Sequence, residues 1–493
     1  MAGIVLGDLP ERNAARRGAE HWAVRHGDAV LSWGELADAA TRRARALQGQ
    51  GVTQGDRVVL SMPNGNAFFE WTFAVWKLGA TPAVVSHRLP KPEFEAILAL
   101  AEPRAAVIAD EDLRAGCLGL PVAFGRDHPD GTPLPALVAP SWKAMTSGGS
   151  TGRPKLIVDH HPSQLDDSVR GLGIPVDGVM LNAGPLYHNF PFAMSHSVMV
   201  HGNSVVGMER FDAEEFLRLV DRHKVQWTAL VPTMMQRVAR LPDEVRARYD
   251  LSSIEALWHT AAPITPELKE FWIDWIGPEK IWEMYGGTEG FATTQLNGAE
   301  WLEHRGSVGK PAWSDVLIRG EDGAALPPGE IGEIYMRRKG ATGEDKAYHY
   351  VGADGRRLPD GFESFGDYGW VDADGYLYIA DRRTDLILSG GRNLYPAEIE
   401  AALLAHPGVA EAIVIGLPDE DLGARVHAIV RLEDDADADA DAADLFDWVR
   451  DRLVGYKVPR SLEFTDAPLR DEAGKARRSA LRAERIAAQT NSA

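Results

Sequence analysis

Apolar positions along this chain recur with two alternating periods. In "LSWGELADAATRRARALQGQG", Ser32 and Glu35 stand at capping-box spacing. Leu36, Ala40, Ala44 and Leu47 then fall on one helical face, and Gly49 and Gly51 mark its end. "RVVLSMP" follows as a short buried strand, "NAFFEWTFAVWKLG" as a helix, and "TPAVVS" as a strand. "KPEFEAILALAEP" with "AAVIAD", and "AEEFLRLVDRHKV" with "WTALVP", repeat the alternation. Helices alternating with Val/Ile-rich strands predict an α/β fold, with layered, mostly parallel sheets flanked by helices.

The pattern changes towards the C-terminus. "GEIYMRR", "GYLYIAD" and "DLILSGG" read as short strands separated by turns. A helix ("YPAEIEAALLAHP"), two strands ("VAEAIVIGLP", "RVHAIVRL") and a helix near "LFDWVRDRL" come next. This is the make-up of a small α+β domain of roughly 110 residues. The predicted division is a large domain over 1–383 and a small one over 384–493. The acidic run from Glu433 to Asp444 is low-complexity and reads as a solvated loop.

Composition bounds the function. The chain has 493 residues, 45% of them apolar and 25% charged, an ordinary globular balance. A net charge of −20 argues against a nucleic-acid or anionic-membrane surface. Cys117 is the only cysteine, which excludes an intrachain disulfide and a multi-cysteine zinc site. The start has no signal-peptide pattern, and the most apolar stretch is interrupted by Glu70, Lys77 and Pro82. A cytoplasmic protein is expected. The oligomeric state is not readable, and a homodimer stays open.

One stretch stands out chemically. "TSGGSTGRPK", Thr146 to Lys155, combines glycines, hydroxyls and cations. Bare backbone N–H groups, hydroxyl donors and positive charge suit a polyphosphate, although Gly/Ser/Thr runs are also ordinary surface loops. It is not a Walker A loop, because Arg153 and Pro154 separate Gly152 from Lys155. The lead-in "SWKAM" reads as a strand, so a hairpin or strand–loop is expected.

With this loop, five further segments occur in order: "YGGTEG", "SFGDYGW", "DRRTDLILSGGRNLYPAEIE", "GYKVPRSLEF" and "PLRDEAGKARR". Together they resemble the adenylate-forming superfamily of acyl-CoA synthetases, nonribosomal adenylation domains and luciferases, over essentially the whole chain. "SGGRNLYPAEIE", "PLYHN" and "EWLEHRGSVGKP" look most like acyl-CoA ligases, including the bile-acid ligase-like branch.

The resemblance implies a reaction and its residues. A carboxylate attacks the α-phosphorus of ATP, giving an acyl-adenylate and pyrophosphate, and coenzyme A then takes the acyl group. A carboxylic acid with a pKa of about 4 is already ionised at neutral pH, so charge screening and alignment dominate over base catalysis. By resemblance Thr146, Ser147, Gly148, Ser150, Thr151 and Gly152 cradle phosphates, and Lys155 adds charge. Thr288 meets the α-phosphate, and Glu289 with Thr151 holds Mg²⁺. Asp367 takes the ribose hydroxyls, and Arg382 reaches ribose or phosphate. Thr260, Ala261, Ala262 and Pro263 enclose the adenine with Tyr285, beside Gly286 and Gly287. Lys475 bridges carboxylate and α-phosphate from a mobile lid. Gly390 and Gly391 line a tunnel for the pantetheine thiol, and His188 packs by the acyl pocket or gates that tunnel. Arg477 and Arg478 read as surface charges.

Three positions depart from the family pattern: Phe190 for a common Gly, Thr384 at the pivot for Asp or Lys, and Phe365 for a Thr. The expected acid is aromatic or alicyclic, with Phe190, Phe192, Trp258, His259 and Phe291 as candidate walls. Transfer to a carrier protein, or activation of nitrite for diazotisation of an arylamine, are the alternatives to coenzyme A. A non-catalytic nucleotide sensor is the alternative from another class, and the intact Glu289 and Lys475 speak against it.

Overall fold

The computed structural model describes residues 3–115, 119–135, 137–147, 155–165, 172–382, 385–389, 392–419, 421–433, 441–471 and 474–491. Two large sheets dominate. The nine-stranded sheet is parallel through its middle, in the order Ile281–Gly286, Ala256–His259, Trp227–Leu230, Val179–Asn182, Ser204–Gly207 and Trp22–His26. Its outer strands pair antiparallel. The seven-stranded sheet runs parallel from Gly119–Leu120 through Ala105–Ile108, Arg57–Ser61 and Thr81–Val84 to Ala144–Ser147. Lys155–Asp159 and Tyr348–Val351 extend it antiparallel.

Helices Trp33–Gly49 and Asn66–Lys77 lie between these sheets and share one apolar core with both. The first starts where the capping box predicts: Ser32 accepts from the Glu35 N–H and the Glu35 carboxylate accepts from the Ser32 N–H. The second is buried nearly all round, charges included. Glu70 pairs with Arg43 at 2.7 Å, both 2% exposed, and Lys77 pairs with Glu11. Buried ions persist only when paired, which explains charges inside so apolar a segment. Among the described residues, no helix is long and apolar enough to cross a membrane.

A six-stranded antiparallel sheet follows, in which Asp367–Val371 pairs with Leu377–Arg382. Ile387 and Leu394 then join a separate core with helix Pro396–Leu404 and the strands Val409–Asp419 and Gly423–Leu432. These C-terminal residues form the α+β unit the sequence predicts. The acidic run differs from a simple loop at its end, where Asp441 caps helix Ala442–Arg450 through the N–H groups of Ala443 and Asp444. Glu433 pairs with Arg240, and residues 434–440 lie outside the described residues.

Candidate functional site

A cleft of about 2670 Å³ is lined by residues of both the large domain and the C-terminal unit. On one wall, Ala144–Ser147 and Lys155–Asp159 pair antiparallel with Ser147 opposite Lys155, the hairpin expected from "SWKAM". Gly148, Ser150, Thr151, Gly152 and Arg153 lie outside the described residues, as does the side chain of Ser147. Thr146 and Lys155 line the cleft.

Lys155 faces Glu289. Its Nζ stands 3.7 Å from Glu289 Oε1 and 4.0 Å from the centre of the Tyr350 ring. The Tyr350 hydroxyl donates to the same Oε1 at 2.5 Å. Burial and the Glu289 charge push the Tyr350 hydroxyl pKa up, so it stays a donor. Both contacts fall on Oε1, which leaves Oε2 as a hard oxygen able to take a divalent cation. Sequence reasoning missed Tyr350. Its strand lies beside the hairpin through the pairing of Tyr350 with Ile157, a long-range register that no local motif carries.

Tyr285, at the end of Ile281–Gly286, donates to Asp367 Oδ2 at 2.7 Å. Asp367 is 4% exposed, and its backbone pairs with that of Arg382, whose side chain lies outside the description. Gly286, Gly287, Thr288 and Glu289 continue the wall, with Thr260, Ala261, Ala262 and Pro263 also on the cleft. Ala261 has φ +76°, in the left-handed region.

Phe365 explains one departure. Its ring stacks on Phe291 at 4.4 Å and stands edge-on to Tyr285 at 5.9 Å. A Cβ on Gly287 would collide with this ring and lie 2.5 Å from Glu289 Oε2. The large ring at 365 therefore requires the missing side chain at 287.

Of the expected pocket walls, Phe190 lines the cleft and stacks on Trp227 with a 6.4 Å ring separation. The other four are corrections, since none is on its lining. Phe192 is fully buried among Phe68, Trp76, Trp142 and His196. Trp258 stacks on Trp282 and donates its Nε1–H to the Leu172 carbonyl. His259 is fully buried 3.7 Å from Glu283, itself paired with Lys269, and burial holds its pKa well below the usual value. Phe291 serves as backing for Phe365 and Tyr348. Each ring packs into core instead, the commoner fate of an aromatic side chain. His188 precedes helix Asn189–Val200, lines the cleft, and its ring lies 4.7 Å from that of Tyr187.

Lys475 also lines the cleft. It sits in a turn closed by Asp471, whose carboxylate accepts from the Lys475 N–H and whose N–H donates to the Lys475 carbonyl. Gly474, φ +73°, would place a Cβ 3.6 Å from Val231 and Thr233 of the large domain. Arg478 is not the surface charge expected. It makes three bonds to the buried Glu400, at 2.7, 2.8 and 3.2 Å, and a fourth to Asp385 at 2.7 Å. Arg477 is exposed, 3.8 Å from Glu93. Thr384, Gly390 and Gly391 lie outside the described residues.

Comparisons with known proteins show the family. The family described as "AMP-binding enzyme" matches residues 10–343, and "AMP-binding enzyme C-terminal domain" matches residues 398–475. The chain is similar to a feruloyl-CoA synthase of an Amycolatopsis species, 36% identical and covering 94% of this chain and 95% of that one. It is 31% identical to a 2-succinylbenzoate–CoA ligase of Bacillus licheniformis, over 94% and 96% of the two chains. Among solved structures it resembles the o-succinylbenzoate CoA synthetase of Bacillus subtilis in complex with its acyl-adenylate intermediate, with TM-score 0.80, 26% identity, and 96% and 97% coverage.

Proposed function

Since the chain belongs to the AMP-binding enzyme family and is an AMP-forming acid–CoA ligase of that family, we propose that it activates an aromatic or alicyclic acid and passes the acyl group to coenzyme A. The observation that supports this reading is one cleft lined by Lys155, Glu289, Asp367 and Lys475 together. Those four supply two cations for phosphate or carboxylate, a hard-oxygen donor, and a buried acceptor suited to paired hydroxyls.

On this reading the acid's carboxylate oxygen attacks the α-phosphorus as the bond to pyrophosphate breaks. Thr146 and Lys155 hold the phosphates, Thr288 meets the α-phosphate, and Lys475 stabilises charge that develops in the transition state. Asp367, steadied by Tyr285, takes the ribose hydroxyls. Mg²⁺, held at Glu289, neutralises phosphate charge when bound. In the second step the thiol of coenzyme A attacks the acyl carbonyl and AMP leaves. A lid pivoting near Thr384, between a domain over 1–383 and one over 384–493, separates the steps. His188, Gly390 and Gly391 belong to the thiol's path, and the cytoplasm is the expected compartment.

The feruloyl and succinylbenzoate specificities of the relatives support an aryl acid. "PLYHN" and "EWLEHRGSVGKP" support the bile-acid ligase-like branch, so alicyclic acids belong in the same screen. The test is pyrophosphate release over a panel of acids and nitrite, with and without coenzyme A. Release with an acid and formation of its thioester are expected. Release without a thioester would move the acceptor to a carrier protein, and release with nitrite and an arylamine would move it to diazotisation. Lys475→Ala should lower kcat of pyrophosphate release by about 10²–10³, the effect of losing one preorganised electrostatic donor. It should still thioesterify a supplied acyl-adenylate. Undiminished adenylation would remove Lys475 from the mechanism.

A further inference from the structure

The cleft continues past the phosphate side to a buried charge pair with no part in the chemistry above. Lys143 and Asp159 lie opposite each other on the hairpin, their ion pair 3.0 Å long and their side chains 5% and 8% exposed. Both line the cleft, together with Trp142, Met180, Phe190 and Met194. Strand alternation puts Lys155 and Asp159 on one face of the same strand. Four residue steps of strand separate them, a span of about 13 Å. The pair therefore borders the same cleft as Lys155 but stands well away from the phosphate side, next to the apolar lining of Trp142, Met180, Phe190 and Met194.

The partners define what the pair offers. Asp159 Oδ1 accepts from the His161 N–H at 2.8 Å and from His161 Nδ1 at 2.7 Å. Nδ1 must carry the proton there, because an ionised carboxylate only accepts. Asp159 Oδ2 accepts from Trp142 Nε1 at 2.9 Å and faces Lys143. The four lone-pair sites of the carboxylate are thus engaged. The Lys143 ammonium has three N–H donors, and among the described residues one meets Asp159 while the group lies 5.1 Å from the Trp142 ring centre. Stability is a weak reason for the pair, since apolar residues of similar volume usually serve a core as well or better.

We propose that Lys143, held in place by Asp159, donates a hydrogen bond to a neutral oxygen substituent, hydroxyl or keto, on the end of the acid remote from its carboxylate. The pair is already neutral as a unit, so a second carboxylate there would meet Asp159 without a free countercharge. This inference rests on the ligase reading for the orientation of the acid. It goes beyond that reading by naming the substituent and the residue that selects it.

The test measures acid binding by calorimetry without ATP, and pyrophosphate release in parallel, for 4-hydroxycinnamic, cinnamic and 4-carboxycinnamic acids and for the best acid of the screen beside its analogue lacking the remote oxygen. The parent should favour the oxygenated member of each pair by about 10- to 100-fold, the factor for one hydrogen bond to a charged donor. 4-Carboxycinnamic acid should bind worst. Lys143→Met alone strands Asp159 in the interior, so the variant to use is Lys143→Met with Asp159→Asn, which retains an acceptor for Trp142. Its preference should collapse towards one, and circular dichroism checks its fold. A folded double variant that keeps the parent's ratio overturns the proposal. So does a preferred acid with no remote oxygen, or a parent that binds none of these acids. Discriminating binding without pyrophosphate release would instead sink the ligase reading and leave this subsite standing.

Discussion

Ala261 holds φ +76° on the cleft wall, a conformation that suits glycine far better than an L-residue. The steric cost for a residue with a Cβ is about 1–2 kcal/mol. Such strain persists where surrounding structure enforces it, and it is common at ligand sites. Ala261→Gly relieves it but also restores chain entropy to the unfolded state and freedom to the loop. Two opposite changes are therefore expected. The melting temperature of the large domain should rise slightly, and KM for ATP should also rise, because Thr260–Pro263 no longer present a fixed wall. Differential scanning fluorimetry and an ATP titration read both. A variant less stable than its parent would mean that the methyl group contributes packing that outweighs the strain.

Among elements, helix Asn66–Lys77 shows how charge is carried through an apolar layer. Arg43 bonds Glu70 and also donates from Nη1 to the carbonyls of Val122 and Phe124 at 2.7 and 2.8 Å. It thereby ties two helices to the 121–124 segment. Among the described residues, Arg43→Met leaves Glu70 buried with only the exposed Arg126, 3.7 Å away, so the large domain should lose about 3–5 kcal/mol in urea unfolding. Adding Glu70→Met should recover much of the loss, and a double variant no better than the single one would refute an uncompensated charge as the cause. The helix itself was legible as an apolar run too long for a strand, and its neighbour Trp33–Gly49 through period and capping, which are local properties. Motif wording singled out Thr288, Glu289, Asp367 and Lys475, which all line the cleft. The Tyr350–Glu289 contact spans 61 residues and depends on strand register, which no short segment encodes. Phe192, Trp258 and Phe291 were misread for the converse reason: residue type says that an aromatic is buried, not whether a core or a cavity receives it. Lys143 and Asp159 were each visible in the sequence, but only the hairpin register makes them a pair.

At the scale of the whole molecule, the proposed mechanism needs Lys475, on the C-terminal unit, to be held in position on a cleft that both parts of the chain line. Arg470 and Ala476 form an isolated bridge that closes the turn holding Lys475. Arg470 and Arg478, on either side of that turn, both reach Glu400, which is 4% exposed and accepts the Val414 N–H as well. Arg478 further bonds Asp385, the described residue just beyond the proposed pivot. The network joins the turn, helix Pro396–Leu404 and the start of the C-terminal unit into one rigid piece, so any rotation at the pivot is transmitted to Lys475. Arg478→Lys keeps the charge but cannot bridge two carboxylates in a fixed fork, and Arg478→Met removes the charge altogether. Misplacing a catalytic group by about 1 Å costs on the order of 10² in rate. Arg478→Met should therefore lower kcat for pyrophosphate release by a factor of that order, with KM for ATP little changed. Arg478→Lys should fall between it and the parent. On the proposed mechanism Lys475 acts only in adenylation, so thioesterification of a supplied acyl-adenylate should decline far less in both variants. Equal losses in the two half-reactions, with the fold intact by circular dichroism, would show that Arg478 supports the C-terminal unit generally and does not aim its lysine.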